Sequence, residues 1–188
     1  MHIKREKVIL LGGSGSGKDY LMRKLAEKGM KPCLKWTTRP IRKFEKQGIT
    51  YNFVDKDIFT KAINENKFLC CQQFEVTPED SEPQTWYYGI TLEEFHNSDI
   101  FIMTPGEFRD LPSDLRKECC VVYLNIDRET RERRLHNRQD KNDSIQRRLD
   151  ADEEDFKEKF DYDLGITDPD FGADDIYSLI NRSEERRV

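Results

Sequence analysis

The chain has 188 residues, of which 36% are hydrophobic and 37% are charged, and its formal net charge at pH 7 is −5. This length is enough for one domain with a buried core, and an aromatic content of 11% argues against a disordered chain. The negative charge gives no general attraction to nucleic acid, and no apolar run is long enough to span a membrane. Since the start of the chain also lacks the apolar core of a signal peptide, we expect a cytoplasmic protein that binds neither nucleic acid nor membrane.

The first predicted elements are a strand over residues 8–10, a glycine-rich turn and a helix over residues 20–26. The turn contains Gly12, four further residues and then Gly17-Lys18, which is the spacing of a phosphate-binding loop. In such a loop, backbone N–H groups surround an anion, the lysine reaches the terminal phosphates, and the positive end of the helix faces the same anion. The predicted ATP-binding residues are Gly12, Gly13, Ser14, Gly15, Ser16, Gly17, Lys18 and Asp19.

Asp19 stands where phosphate loops usually carry a hydroxyl residue that binds Mg²⁺. A carboxylate can also hold Mg²⁺, either directly or through water, so the sequence predicts ATP and Mg²⁺ as cofactors and Asp19 as a metal ligand. The simpler interpretation is a glycine-rich turn that merely joins a strand to a helix. The lysine at the correct spacing and the two flanking elements favour nucleotide binding.

A second group of candidate residues follows. Arg39 and Arg42 lie three residues apart beside Pro40, and they are followed by Glu45 and Tyr51. Guanidinium groups bind phosphate oxygens in pairs, and a phenol can donate one more hydrogen bond. This segment is therefore either a clamp for a second phosphate or a solvated basic turn.

From this point the order of motifs resembles the guanylate kinase family. In that family the phosphate loop is followed by Thr-Thr-Arg, a second arginine, a glutamate, a glycine and Tyr-x-Phe-Val, and all of these occur here between residues 37 and 54. The resemblance covers nearly the whole chain and continues at residues 68–69, 87–89, 134–138, 144–149 and 161–162. It implies a site for the monophosphate of an acceptor. The residues that it assigns to this site are Arg39, Arg42, Tyr51 and Tyr88, with Glu45 supporting them.

Residues 128–148 contain seven arginines and one lysine. Alone, such a run is typical of a solvated helical face with pairs such as Glu129 with Arg133. The resemblance instead implies a helical lid over about residues 134–148, whose arginines close over the phosphates. The catalytic residues that it implies are Lys18, Arg134, Arg138 and Arg148.

Two arginines at the start of this run, Arg128 and Arg131, are predicted to be ordinary surface residues. The acidic stretch at residues 150–163 is interpreted as the exposed face of the helix that follows the lid, with Phe156 and Phe160 packing inward. We do not expect a metal site in this stretch.

The resemblance is weakest where the family reads the acceptor base. The positions concerned hold Lys35, Cys70 and Ile90 in place of a serine, a glutamate and a hydroxyl residue. A cysteine cannot accept the paired hydrogen bonds that a carboxylate accepts from guanine, although Lys35 can still donate to a carbonyl of guanine, thymine or uracil. The family's acidic end of the central strand is also missing, and Glu107 is a candidate replacement. We therefore predict that Lys35 and Cys70 contact the acceptor. These residues do not identify which base the acceptor carries.

The alternation of strands and helices behind a phosphate loop predicts an α/β P-loop fold of three layers, with a doubly wound, mostly parallel sheet. We expect a single domain whose core covers residues 1–34 and 93–188. An inserted acceptor-binding lobe is predicted to cover residues 35–92. Within it, the acidic, proline-containing loop at residues 75–86 is either a specificity lid or a plain surface loop.

These patterns together predict an ATP-dependent nucleoside monophosphate kinase that acts on GMP or dGMP, as a monomer or homodimer. One alternative is a sugar-phosphate kinase, because the ribose 1,5-bisphosphate kinases share Gly-Ser-Gly-Lys-Asp in the loop and also lack the guanine-reading glutamate. The complete Thr-Thr-Arg-Pro-x-Arg-x-x-Glu pattern at residues 37–45 favours the nucleotide kinase. Another alternative is a non-catalytic interaction module similar to the guanylate kinase-like domains of scaffold proteins, but those domains lose the phosphate loop that this chain keeps.

Overall fold

The structure, a computed structural model, describes residues 7–42, 45–77, 82–138 and 144–185, except for the side chains of residues 138 and 182–185. The chain divides into two compact units. The first consists of Met1–Pro32 with Asp99–Val188, and the second consists of Cys33–Ser98. The second unit therefore begins and ends slightly outside residues 35–92, which the sequence predicts as the acceptor-binding lobe.

Helices and strands alternate along most of the described chain. In chain order they are β1 (Lys7–Gly12), α1 (Lys18–Glu27), β2 (Trp36–Thr37), β3 (Asn52–Phe53), α2 (Lys56–Asn64), β4 (Phe68–Val76), β5 (Gln84–Thr91), α3 (Leu92–His96), β6 (Ile100–Ile102), α4 (Pro105–Asp110), α5 (Ser113–Lys117), β7 (Cys119–Leu124), α6 (Arg128–Arg138), α7 (Ile145–Asp155), β8 (Leu164–Ile166) and α8 (Ala173–Glu185). Among the residues that the structure describes, no helix has both the length and the apolar composition needed to cross a bilayer.

The sheet of the first unit has the strand order β6-β1-β7-β8, and each of its strand pairs is parallel. In the middle of this sheet, Val8 pairs with Ile100 on one side and with Cys120 on the other. Pro32 forms a parallel bridge to Ile100, so Ile100 also has partners on both sides. Parallel strands need crossover connections, and the helices between these strands supply them. The α/β fold with a mostly parallel sheet is confirmed.

The hydrophobic core of the first unit surrounds β1. Residues 8–11 are each at most 1% exposed, which is the pattern of a strand that is covered on both faces. Helices α1 and α8 cover one of these faces with Leu21, Leu25, Ile176 and Ile180. Each such side chain contributes about 1.5–3 kcal/mol when it is fully buried. A strand held in this way fixes the position of the turn that follows it.

The sheet of the second unit has the strand order β3-β2-β5-β4, and β4 and β5 form a long antiparallel hairpin. The predicted loop at residues 75–86 is shorter than expected, because β4 and β5 extend into it from both ends. Strand pairing explains the difference, since Trp86 is buried and lies opposite Phe74 in the register. Residues 78–81 of the predicted loop lie outside the described residues.

Candidate active site

A glycine-rich turn joins β1 to α1, as the sequence predicts. β1 ends at Gly12 and α1 begins at Lys18. Gly15 has a φ of 78° and Gly17 a φ of 105°, which lie in the left-handed region that residues with side chains rarely adopt. Gly17 is also the N-cap of α1, so the first N–H groups of the helix point toward the turn without a capping side chain between them. The turn therefore has the backbone of an anion-binding loop.

The side chain of Lys18 lies along this turn. Its Nζ atom donates hydrogen bonds to the carbonyl oxygen of Gly12 at 2.5 Å and to that of Gly13 at 2.9 Å. Ser16 is fully buried, and its N–H group donates to the carbonyl of Gly13 at 3.1 Å. The ammonium group is thus held beside the turn, where its positive charge favours an anion.

Arg134 on α6 lies beside the same turn. Its Nη1 atom donates to the carbonyl oxygens of Gly15 at 3.3 Å and Ser16 at 3.2 Å, and Nη2 donates to the carbonyl of Pro169 at 2.5 Å. A cleft of about 540 Å³ opens here, a size typical of small-molecule sites. Its walls include Gly15, Gly17, Tyr20, Arg134 and Phe171. The structure thus places one of the three predicted lid arginines at the phosphate loop.

The other two predicted lid arginines lie on either side of the segment at residues 139–143, which is outside the described residues. Arg138 is the last residue of α6, and its side chain is not among those that the structure describes. Arg148 is a partly exposed residue in the first turns of α7, and its N–H group donates to the carbonyl of Ser144. The predicted roles of Arg138 and Arg148 remain predictions.

The candidate metal ligand Asp19 is exposed in the first turn of α1. The described part of the chain contains no group of three or more histidine, cysteine, aspartate or glutamate residues that could hold a metal ion. Glu107 is buried, and its carboxylate accepts the N–H group of Thr104 at 2.8 Å. Together with the hydroxyl of Thr104, it forms a capping box at the start of α4. The Glu107 carboxylate therefore caps α4, and this structural role does not support it as a replacement metal ligand.

In the second unit, Arg39 and Glu45 form a bidentate ion pair. Nη1 and Nη2 of Arg39 donate to the two carboxylate oxygens of Glu45 at 2.9 and 2.7 Å. The side chains are 3% and 14% exposed. Burial of Arg39 opposes its charge, but the hydrogen bonds to Glu45, together with the electrostatic effects of Tyr88, Glu45 and Tyr51, outweigh burial and raise the pKa of Arg39. Burial likewise acts to raise the pKa of Glu45, yet the bonds from Arg39 and the Arg42 N–H group leave this pKa below its ordinary value.

Two tyrosines predicted for the acceptor site contact this ion pair or each other. The guanidinium of Arg39 lies 5.4 Å from the ring centre of Tyr51, within the range of a cation–π contact. The rings of Tyr51 and Tyr88 meet edge to face at 6.2 Å, and Phe74 contacts Tyr88 at 5.7 Å. The fold thus brings Arg39, Glu45, Tyr51 and Tyr88 into one cluster.

The remaining acceptor-site candidates lie on or beside the same sheet. Lys35 precedes β2, and its carbonyl accepts the N–H group of Asn52 at 2.8 Å. Arg42 lies three residues after Arg39 in the chain. Cys70 is buried on β4 opposite Ile90. Sequence reasoning missed Gln72, which lies two residues further along β4, directly opposite Tyr88. Because side chains alternate along a strand, Cys70 and Gln72 share a face. This alternation is the sequence signal that could have identified Gln72 as a candidate.

Arg131 differs from the expected surface residue. It is 8% exposed, and its Nη1 atom donates to Asp152 at 3.0 Å. Asp152, in the acidic stretch predicted to be exposed, also accepts the N–H group of Ser14 at 2.7 Å. Arg128 agrees with the prediction, since it pairs with Asp150 at the surface. Nothing local distinguishes Arg131 from the other arginines of its run, because its partners lie far away in the sequence.

Comparison with known proteins supports the same picture. The family model described as guanylate kinase matches residues 4–97, which are 94 of the 188 residues. The chain is 30% identical to a guanylate kinase of Nostoc over 88% of this chain and 83% of that protein, and 29% identical to that of Vibrio cholerae over 87% and 80%. A crystal structure of the guanylate kinase from Anaplasma phagocytophilum is similar in fold, with a TM-score of 0.67, 21% identity and coverage of 96% of this chain and 88% of that chain.

The parallel sheet and the phosphate loop between β1 and α1 define an ATP-dependent phosphotransferase of the P-loop class. Within that class, the chain belongs to the guanylate kinase family. It is a nucleoside monophosphate kinase, as the order of motifs predicts.

Proposed function

We propose that the enzyme transfers the γ-phosphate of ATP to GMP or dGMP in the cytoplasm, as a monomer or homodimer that binds neither nucleic acid nor membrane. The observation that carries the proposal is the turn between β1 and α1, where Lys18 and the start of a helix meet left-handed glycines. The choice of acceptor is supported by the similar proteins, which are named guanylate kinases. The second unit would serve as the acceptor-binding lobe.

Transfer of a phosphoryl group depends on positioning and on compensation of charge more than on a strong base. On the donor side, the amides of the turn and Lys18 would bind the β- and γ-phosphates. Arg134 is held beside the turn by loop carbonyls, so its positive charge lies close to these phosphates. The adjoining cleft would take the adenosine, with the rings of Tyr20 and Phe171 in its wall.

Asp19 is the residue that would hold Mg²⁺, directly or through water. Its exposed carboxylate, one residue after Lys18, suits this ion, because Mg²⁺ bound to nucleotides keeps several waters and uses one or two carboxylates with the phosphates. The absence of a larger acidic cluster among the described residues is compatible with this mode of binding. When bound, the ion would neutralise part of the phosphate charge.

On the acceptor side, Tyr51, Tyr88 and Arg42 are the proposed first contacts of the monophosphate. Arg39 already directs both terminal nitrogens to Glu45, so it would act chiefly by holding the turn that carries Arg42. Its buried charge also lies close to the ring of Tyr51. A phosphate placed here would be bound by phenol hydroxyls and a guanidinium group in a positive environment.

The face of β4 that carries Cys70 and Gln72 would meet the acceptor base. Cys70 cannot replace a carboxylate, but Gln72 offers a carbonyl acceptor and an amide donor in one side chain. These two groups fit the adjacent N1–H donor and O6 acceptor of guanine. The loss of the carboxylate is also the observation that keeps a sugar phosphate as the second candidate acceptor.

The test is ADP release from Mg·ATP with a panel of acceptors, with the product identified by mass. The panel contains the ribo- and deoxyribonucleoside monophosphates and ribose 1,5-bisphosphate. We expect GMP or dGMP to give the highest kcat/KM, and Gln72→Ala to lower kcat/KM for that acceptor without changing KM for ATP. Lys18→Met, assayed in parallel, identifies any contaminating kinase.

The other outcomes each point to a different function. Preference for another nucleotide would replace GMP as the acceptor and retain the kinase. Turnover of ribose 1,5-bisphosphate alone would establish the sugar-phosphate kinase. No turnover across the panel, together with no binding of Mg·ATP in calorimetry, would favour the non-catalytic module.

A further inference from the structure

A partly buried ion pair lies directly behind the tip of the phosphate loop. Arg131 comes from α6 and Asp152 from α7, and their side chains are 9% and 18% exposed. The Nη1 atom of Arg131 lies 3.0 Å from Oδ2 of Asp152, and its Nε atom donates to the carbonyl of Ile126 at 3.1 Å. The pair is therefore anchored to the segment that follows β7 as well as to two helices.

The same pair contacts the backbone of Ser14 at both its N–H group and its carbonyl group. Oδ2 of Asp152 accepts the Ser14 N–H group at 2.7 Å, and Oδ1 accepts the Ser14 hydroxyl at 3.3 Å. Nη1 of Arg131 makes a longer contact of 3.5 Å with the Ser14 carbonyl. These bonds join residues that are 117 and 138 positions apart in the sequence, so the loop tip depends on the placement of α6 and α7.

The loop has room for the pair because its neighbouring residues lack side chains. A Cβ atom at Gly13 would lie 2.4 Å from Nη1 of Arg131 and 3.1 Å from Oδ2 of Asp152. A Cβ atom at Gly15 would lie 2.7 Å from the carbonyl of Arg131. The glycines on both sides of Ser14 would make the tip flexible if nothing held it.

We infer that Arg131 and Asp152 are positioning residues for ATP binding, which fix the Ser14 peptide while keeping the wall of the phosphate site electrically neutral. This inference rests on the proposed binding of ATP to the loop. The carboxylate holds the loop tip in one conformation before the nucleotide arrives, which lowers the ordering cost of binding. A carboxylate beside a triphosphate would by itself repel it, and the guanidinium of Arg131 compensates for this charge.

The two residues therefore have opposite electrostatic effects on ATP. Removing the charge of one or of the other should consequently have different effects on the Kd for Mg·ATP. Arg131→Met leaves the charge of Asp152 uncompensated, and we expect it to raise the Kd and KM for Mg·ATP about tenfold. Asp152→Asn keeps an oxygen that can accept the Ser14 N–H group while removing the negative charge, so the Kd should stay the same or fall. The double variant should return to within about threefold of the wild-type value. KM for the acceptor should not change in any of the three.

A neighbouring ion pair supplies the matched control. Arg128 and Asp150 also join α6 to α7, but their hydrogen bonds lie at the surface and do not include the phosphate loop. Arg128→Met and Asp150→Asn therefore repeat the same chemical changes on the same helices. We expect both controls to bind Mg·ATP as the wild type does.

The measurement is the Kd for Mg·ATP by calorimetry on folded protein, with steady-state KM values for both substrates. Equal weakening by Arg131→Met and Asp152→Asn would show that the pair merely ties the helices together and would overturn the inference. If Arg131→Met does not fold, Arg131→Lys replaces it, because lysine keeps the positive charge but lacks the forked guanidinium group. This variant should bind Mg·ATP with a Kd within about threefold of the wild-type value, despite a lower Tm. Weak binding by Arg131→Lys would count against the role of charge.

Failure of the proposed function gives a different result. In that case the wild-type protein itself binds no Mg·ATP. Binding by the wild type with unchanged Kd values in all variants leaves the proposed function intact and refutes only the role of the pair.

Discussion

The two proposed phosphate sites of this enzyme are built in different ways. In the first unit, backbone groups of a single turn after β1 form the site, and the side chain of Lys18 folds back on carbonyl groups five and six residues before it. In the second unit, side chains from separate segments meet, since Arg39 pairs with Glu45 and Tyr51 contacts Tyr88 on another strand. A site made of local backbone needs a short motif, whereas a site made of side chains needs the whole sheet to be in place.

The two sites also differ in how they hold positive charge. The Lys18 ammonium group donates to two backbone carbonyl groups of the turn, which hold its positive charge where an anion would bind. Arg39 is buried and paired with a carboxylate, so much of its charge is compensated before any ligand arrives. Loss of Lys18 should therefore affect chemistry directly, while loss of the Arg39 pair should affect structure first.

The strongest loss of activity is expected from a substitution in the donor site. Lys18→Met should lower kcat/KM on the order of a thousandfold, because it removes a charge that stabilises the transferred phosphoryl group. The far-ultraviolet circular dichroism spectrum and the unfolding midpoint should remain close to those of the wild type. Lys24→Met, at a partly exposed position of the same helix, is the control and should keep full activity. Normal turnover by Lys18→Met would remove the phosphate loop from the mechanism.

The next effect is expected from the acceptor site. Glu45→Gln leaves the buried guanidinium of Arg39 without its counter-charge, which should lower the free energy of unfolding by about 2–3 kcal/mol. KM for the nucleoside monophosphate should rise at least tenfold, and KM for ATP should stay constant. Urea unfolding and steady-state kinetics measure the two quantities. Glu65→Gln, in an exposed ion pair with Lys67, is the control. A rise of both KM values together would indicate a general loss of structure.

The same ion pair predicts a smaller, pH-dependent effect. The pKa of Glu45 in the folded protein lies below its ordinary value of 4.5, because the bonds from Arg39 and the Arg42 N–H group outweigh the effect of burial. The pair therefore stabilises the fold fully above pH 4.5, and this contribution is lost as the pH falls through the lower, folded-state pKa. The difference in unfolding free energy between wild type and Glu45→Gln should be constant from pH 8 to pH 5 and then shrink. A difference that grows on acidification would contradict the assignment.

The smallest effect is expected at the surface. Arg128 pairs with Asp150 and Glu153 on exposed faces of α6 and α7, where water and salt screen the charges. Arg128→Met should leave both KM values and the unfolding midpoint unchanged within error. A clear loss of ATP binding in this variant would show that any bridge between the two helices matters, and not the contact with the loop.

The acceptor region shows why part of the candidate site could be predicted. Arg39, Glu45 and Tyr51 lie within thirteen positions of one another, so a local motif was enough to group them. Tyr88 joined them through the family resemblance, and the register of β5 against β2 brings it to the same sheet. Gln72 carried no motif, and it became a candidate only when the pairing of β4 with β5 placed it opposite Tyr88. Hairpin register depends on contacts across the sheet, which a local pattern does not contain.

The phosphate loop, the buried strand before it and the family could all be predicted from the residues alone, because glycine spacing and a continuous apolar run are local properties. It also predicted the parallel α/β fold, which is confirmed. The packing of α6 and α7 was needed to show which arginine of the 128–148 run is buried and which carboxylate of the acidic stretch reaches the loop. Arg131 and Asp152 look like their neighbours in the sequence, and their partners at Ser14 lie more than a hundred residues away. Burial and pairing of charges follow from how helices pack, and helical spacing alone does not specify that packing.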